Sequence, residues 1–311
     1  MNSGFLLIDK PEGPTSHDVV DALRRILGIR RIGHAGTLDP FAAGLLILGV
    51  GKSTRLLNHL AKKDKTYRFK LMLGFTTDTY DRTGDIKPWK DSSPKECVSR
   101  EKIEEILRNF KGHIRQIPPS YSSIKIKGKK LYEYARKGIK IEGTPREVTV
   151  YRLTLLSYEY PFLFLEAQVS TGTYIRSLGY DIGQRLGVGA YVHSLRRTAI
   201  GAFRVEESPI LDPEKSTWKD LEKGWRYTKE IFSEWESIRV SGNEQSRLEK
   251  GQAILYNNPV FHSKEQEDSH VLVLDSKGEE FCLAILKRKD KEFILQPKIQ
   301  LTEHPRGKNS G

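Results

Sequence analysis

The segment Gly33-His34-Ala35-Gly36-Thr37-Leu38-Asp39-Pro40 sets an imidazole, a hydroxyl and a carboxylate within a few positions, framed by two glycines. Glycine permits unusual backbone angles and close approach of a ligand. Pro40 restricts Asp39 to extended geometry. A carboxylate fixed in this way, with His34 and Thr37 beside it, suits nucleophilic or acid–base work. Taken as an isolated Asp-Pro pair, the commoner reading is an Asx-type turn ahead of a helix. Rival chemistries lack their residues. Gly51-Lys52-Ser53 ends like a phosphate-binding loop, but Leu46 stands where that loop needs glycine. No Gly-x-Ser-x-Gly elbow occurs, and the eight histidines show no His-x-x-x-His pairing. Cys97 and Cys282 are far apart, so neither a disulfide framework nor a zinc site is expected.

The elements that must position Asp39 can be read from apolar spacing. Gly4 to Ile8 reads as a buried strand, and residues 9 to 14 as a turn. Thr15 or Ser16 caps a helix through about Leu27, with Val19, Val20, Leu23, Ile26 and Leu27 at helical spacing. Residues 28 to 41 are glycine-rich and irregular, which places Asp39 on a loop. Apolar order returns from Phe41 to Leu60. Thr66 to Gly74 alternates (Tyr67, Phe69, Leu71, Leu73) as a strand with one buried face. Residues 81 to 98 form a polar excursion, followed by an amphipathic helix over Lys102 to Phe110 and a basic loop over 111 to 128. Leu131 to Lys137 fits a helix. Strands are expected at Arg146 to Ser157 and Phe162 to Ser170, a helix at Thr173 to Leu186 ended by Gly187, and a strand pair over 191 to 205. Beyond a boundary near 233 to 236 come strand-like runs at Ile238–Val240, Val271–Leu274, Phe281–Leu286 and Phe293–Pro297, which make a small, mostly β module.

The 311 residues are 37% hydrophobic and 30% charged, enough for a real core. No apolar run approaches the ~20 residues of a membrane span, and the N-terminus lacks signal-peptide character, so a cytoplasmic location is expected. The net charge of +12 is unevenly spread. Between Lys111 and Glu147 ten Lys or Arg face three Glu, whereas from Glu236 onward twelve bases balance twelve acids. A local basic excess marks either a solvated lysine-rich face or a surface that meets a polyanion.

The longer motifs decide between these readings. The chain closely resembles the bacterial tRNA pseudouridine synthase B family, which isomerises the uridine at position 55 of the TΨC loop. The likeness runs through residues 4–16, 31–40 and 44–46, Lys65-Thr66-Tyr67 with Leu73-Gly74, and Thr77-Asp78-Thr79 with Asp81 and Gly84. It continues in Gln116-Ile117-Pro118-Pro119-Ser120-Tyr121-Ser122-Ser123-Ile124-Lys125 and in residues 170–178. It implies an α+β fold: a catalytic domain (1–235) around a mixed, largely antiparallel sheet, a small C-terminal β-rich PUA-like RNA-binding domain (236–305), and a disordered tail (306–311).

It also implies roles. Asp39 becomes the essential carboxylate, adding to C1′ of the ribose, adding to C6 of the base, or removing the ribose 2′ proton. Tyr67 resembles the tyrosine that stacks on the flipped uracil, and Arg176 the arginine that pairs with the catalytic carboxylate. His34 would fill the place the flipped nucleotide leaves. Tyr174, Leu195, Lys10 and Thr37 would complete the substrate pocket. Lys125, Lys127, Lys129 and Lys130 would meet RNA phosphates. Isomerisation neither oxidises nor hydrolyses, so no cofactor or metal is expected. The expected partner is tRNA, bound through its TΨC stem-loop by a monomer. Two alternatives remain: an RNA-guided, dyskerin-like synthase, and a non-catalytic tRNA-folding factor.

Overall fold

A computed structural model describes residues 3–89, 98–122, 124–126, 128–135, 138–139, 141, 143–256, 269–289 and 292–301. It holds a ten-stranded mixed sheet and a separate five-stranded one. The strands of the large sheet are β1 (Gly4–Lys10), β2 (Ile32–His34), β3 (Ala43–Val50), β4 (Lys65–Leu73), β5 (Gly112–Gln116), β6 (Arg146–Glu159), β7 (Phe162–Val169), β8 (Ala190–Ile200), β9 (Phe203–Arg204) and β10 (Trp225–Arg226). Their order is β10-β1-β3-β8-β4-β7-β6-β5, with β2 beside β3 and β9 beside β8. Every pairing is antiparallel except β3 with β8, which touch in parallel only at Ala43↔Arg196 and Gly44↔Arg197. That short parallel seam divides the sheet into two halves, and the Asp39 segment leads into β3 at the seam.

Both faces of the β1–β3 half are covered, which is why β1 reads as a continuous apolar run. Leu6 and Ile8 pack with Val19, Val20 and Leu23 of helix α1 (Ser16–Leu27). Phe5 and Leu7, on the opposite face, pack with Leu57, Leu60, Ile231 and Phe232 and also with Leu272, Leu283 and Leu301. Thr15 caps α1 by a reciprocal pair of bonds with Asp18, and Gly28 closes it in left-handed geometry. In the other half, Tyr67, Phe69, Leu71 and Leu73 alternate inward against helices α2 (Arg100–Arg108) and α3 (Ile175–Leu186).

Several boundaries differ from expectation for local reasons. Thr173 and Tyr174 lie before α3, with Tyr174 in extended geometry at its N-cap. The basic loop opens as strand β5, because Gly112 to Gln116 finds a partner in β6. The glycine-rich stretch 28–41 contains β2, and Phe41 to Leu60 resolves into β3, a 3₁₀ turn (Gly51–Leu56) and a short helix (Leu57–Ala61). The helix expected over Leu131 to Lys137 spans Leu131–Ala135; Lys137 lies outside the described residues, as does the expected tail.

The C-terminal sheet joins Glu236–Arg239, Ser269–Leu274, Glu280–Lys289, Glu292–Gln300 and Ile254–Tyr256, in that spatial order. It also carries a helix, Gly242–Glu249, whose start has a Ser241–Glu244 capping box. Its core shares Leu272, Leu283 and Leu301 with the face of β1 and β3, so the module is packed against the larger sheet.

Candidate active site

Asp39 sits in a loop sewn down from several directions. Gly13 N donates to Pro40 O at 2.8 Å, and Ala42 N to Asp39 O at 3.0 Å. Leu38 N donates to Ser16 Oγ (2.9 Å), which returns a bond to Leu38 O (3.2 Å). The side chain of Asp39 keeps 35% of its surface open, while that of Arg176 beside it is 4% exposed. Arg176 Nη2 donates to Asp39 Oδ1 at 3.2 Å. Its Nε lies 2.9 Å from Oδ2, although the N–H is not aimed at that oxygen, so the fork is skewed.

Arg176 is a hub. Nη1 lies 3.3 Å from Asp81 Oδ2 and donates to Thr79 O at 3.1 Å, and Nη2 also donates to Tyr121 O at 2.8 Å. Asp81 is itself buried. Its Oδ1 accepts bonds from Thr79 Oγ1 (2.9 Å), Thr83 N (2.9 Å) and the Thr83 hydroxyl. One guanidinium therefore ties the Asp39 loop, the Thr79–Asp81 turn and the backbone at Tyr121 of the basic segment to the first turn of α3. Gln116 reinforces the last link, donating from Nε2 to Tyr174 O (3.0 Å) and accepting from Tyr174 N (2.7 Å).

Burial pushes the Asp39 carboxyl above the usual carboxylate range. Arg176 opposes this, and the second carboxylate, Asp81, adds to it. Burial, and then the nearby Arg197 guanidinium, hold His34 below its ordinary pKa, so its imidazole is neutral at pH 7. Its Nδ1 is buried with no hydrogen-bond partner among the described residues. Burial raises the pKa of the Tyr174 phenol.

Tyr67 and Leu195 lie in the buried cluster that contains Leu38 and Phe41, next to the Asp39 loop. Thr37 is exposed. Lys10 departs from the substrate contact expected of it. It is fully buried, and its ammonium donates to Pro11 O and Pro14 O (2.8 Å each) and, at 3.5 Å, to Pro40 O. All three bonds go to backbone carbonyls, so Lys10 fastens the turn 11–14 to the Asp39-Pro40 loop. Burial lowers its pKa to about 8. Lys125–Ile126 and Lys129–Lys130 form a small hairpin, with Lys129 exposed; Lys127 lies outside the described residues.

Asp81 and Gln116 stand inside the motifs that carry the family resemblance without a role assigned to them there, and Arg197 lies outside those motifs. The signal for Arg197 was present: it holds a buried-face position between Leu195 and Ala199 in an alternating strand.

The fold of this chain has counterparts among solved structures. A Cbf5–Nop10–Gar1 complex gives a TM-score of 0.69 at 24% identity, covering 96% of this chain and 85% of the matched one. An H/ACA RNP bound to a substrate RNA containing 2′-deoxyuridine gives 0.68 at 22% identity with the same coverage. These likenesses show the fold. Sequence similarity goes further. The TruB family pseudouridylate synthase N-terminal domain matches residues 24–175, and the tRNA pseudouridylate synthase B C-terminal domain matches residues 176–235. A tRNA pseudouridine synthase B from Caldanaerobacter subterraneus is 42% identical over 276 residues, 88% of this chain and 92% of the relative. One from Prochlorococcus marinus is 39% identical, covering 95% and 96%. The chain belongs to the bacterial tRNA pseudouridine synthase B family.

Proposed function

We propose that this chain converts the uridine at position 55 of the TΨC loop of tRNA to pseudouridine, with Asp39 as the essential carboxylate. The observation that carries the reading is the grip of Arg176 on Asp39 at the mouth of the split sheet. The reaction breaks N1–C1′, turns the uracil and forms C5–C1′. Atoms and oxidation state are conserved, so the balance calls for no redox or metal group.

The target base must first leave the RNA loop, at a cost of a few kcal/mol of stacking. His34, neutral and with a free ring nitrogen, fills the vacated place. Tyr67 stacks on the uracil, an interaction worth ~1–3 kcal/mol per base, and Leu195 lies beneath it. Arg176 keeps Asp39 ionised and aimed while RNA binding removes water from the open side of the carboxylate. The ionised Asp39 then adds to C1′, adds to C6, or takes the 2′ proton; these paths share the requirement for the carboxylate. Tyr174, held by Gln116, closes the pocket beside Arg176. The lysine hairpin at 125–130 meets phosphates, and the C-terminal sheet, a PUA-like module, extends the RNA surface. In this reading the chain works in the cytoplasm as a monomer, on tRNA alone.

The test is to treat a T-arm RNA hairpin with the pure chain and map pseudouridine by mass spectrometry. A single product at the position-55 equivalent is expected. A requirement for guide RNA and accessory proteins would favour the guided reading. RNA refolding without any product would favour a folding factor.

A further inference from the structure

Arg197 is among the largest fully buried side chains, at 1% exposed. Among the described residues no carboxylate lies within ion-pair distance of it, which is unusual for a buried guanidinium. Its donors go to backbone carbonyls: Nε to Leu45 O (2.7 Å), Nη2 to Gly36 O (3.2 Å) and Nη1 to Thr37 O (3.4 Å). Two of these carbonyls belong to the loop that carries Asp39, and the third to β3, which the loop enters.

The backbone of Arg197 lies at the seam of the sheet. It pairs with Gly44 of β3 on one side and Tyr67 of β4 on the other. A Cβ at Gly44, where φ is +110°, would come within 2.2 Å of Arg197 O, so glycine is required for the strands to meet there. At Gly36, φ +108°, the backbone turns its carbonyl toward the guanidinium. Arg197 thus joins both halves of the sheet to the catalytic loop. Its charge is felt locally. After burial, it is one of the groups holding down the pKa values of Lys10, His34 and Lys65.

We propose that Arg197 is a positioning residue of the reaction: its buried, carboxylate-free guanidinium fixes the Asp39 loop through the carbonyls of Gly36, Thr37 and Leu45. It touches neither substrate nor Asp39, and acts through the loop. The inference rests on the function proposed above.

The test uses the full chain with Arg197→Lys and Arg197→Gln, assayed by tritium release from a T-arm hairpin labelled at C5 of uridine. Histidine NMR titration and thermal melting are measured alongside. Both variants are expected to lose at least about tenfold in kcat with KM for the hairpin within about twofold. The His34 titration midpoint should rise in Arg197→Gln, where the charge is gone, and move less in Arg197→Lys. If Arg197→Gln does not fold, Arg197→Lys decides by its kcat and KM. Unchanged kcat, a loss confined to KM, an unmoved His34 midpoint in a folded Arg197→Gln, or failure of both variants to fold would overturn the proposal. Asp39→Asn is the control: if it stays active, the underlying function is wrong, whereas an inactive Asp39→Asn beside fully active Arg197 variants defeats this inference alone.

Discussion

Asp39 and Asp81 are held by opposite sides of one guanidinium. Arg176 reaches Asp39 Oδ1 at 3.2 Å and Oδ2 at 2.9 Å, and Asp81 Oδ2 at 3.3 Å. The two carboxylates are unequal. Asp81 is buried and saturated by donors at its other oxygen, whereas Asp39 is partly open. The buried member holds Arg176 from one side, which leaves the other carboxylate partly open.

Because burial raises the pKa of Asp39 and Arg176 opposes that rise, weakening Arg176 should raise it further. In the proposed reaction the ionised form acts, so activity is expected to fall as pH drops through this pKa. Arg176→Lys replaces a fork with a point charge. Its single-turnover pH profile should therefore show the acidic limb at higher pH than the parent. A limb that stays put or moves down would contradict this electrostatic reading.

Removing Asp81 leaves Arg176 buried with one carboxylate partner, the skewed Asp39, beside the carbonyls of Thr79 and Tyr121. Breaking a buried pair from one side typically costs 3–5 kcal/mol, and the surviving Asp39 contact should hold the loss toward the lower end, about 3 kcal/mol. Asp81→Asn should therefore lower the urea midpoint clearly. It should also reduce turnover, because Arg176 is then free to shift. A variant as stable and as active as the parent would remove Asp81 from the account.

Lys10 offers a linkage test. Its folded pKa, about 8, lies below the ordinary 10.5. Between those values the unfolded chain binds more protons than the folded one, so Lys10 makes stability rise with pH across that window. The contribution approaches about 1.4 kcal/mol per pH unit at most. Lys65, also held to about 8 by burial, contributes in the same direction. Urea unfolding at pH 8, 9 and 10 should show a shallower rise in Lys10→Met than in the parent. Equal slopes would mean that Lys10 is not desolvated as described.

The lysine hairpin should act through charge alone. Replacing two of Lys125, Lys127, Lys129 and Lys130 by Gln should weaken tRNA binding and reduce the slope of log K against log salt by about 1.4 to 1.8, at ~0.7–0.9 per phosphate released. Binding isotherms at several salt concentrations measure this, and an unchanged slope would exclude these phosphate contacts.

Much of this site is local in the sequence. The loop from Gly33 to Pro40, the alternation through Tyr67 and the helix after Tyr174 carry their geometry in residue type and spacing. What lay out of reach depends on long-range contact. The pairing of Arg176 with Asp39, 137 positions away, is implied by the family resemblance and by no spacing in the chain, and nothing in the sequence shows that Arg176 also meets Asp81 or that Arg197 turns its side chain to the Gly36 carbonyl. For Lys10, which the resemblance puts in the substrate pocket, only packing reveals that three backbone carbonyls surround its ammonium. β5 was hidden because its exposed, polar residues become a strand only through pairing with β6. The helix Gly242–Glu249 was missed although Ser241 and Glu244 form a legible capping box, because its composition is polar nearly throughout.

The central claim is that the Asp39 carboxylate performs the chemistry while the rest of the site binds and presents RNA. Asp39→Asn keeps size and polarity but removes the charge. The account predicts that tritium release from C5-labelled uridine in a T-arm hairpin falls to background in Asp39→Asn, with hairpin affinity within a few-fold of the parent. Tritium release that survives this single change would contradict it.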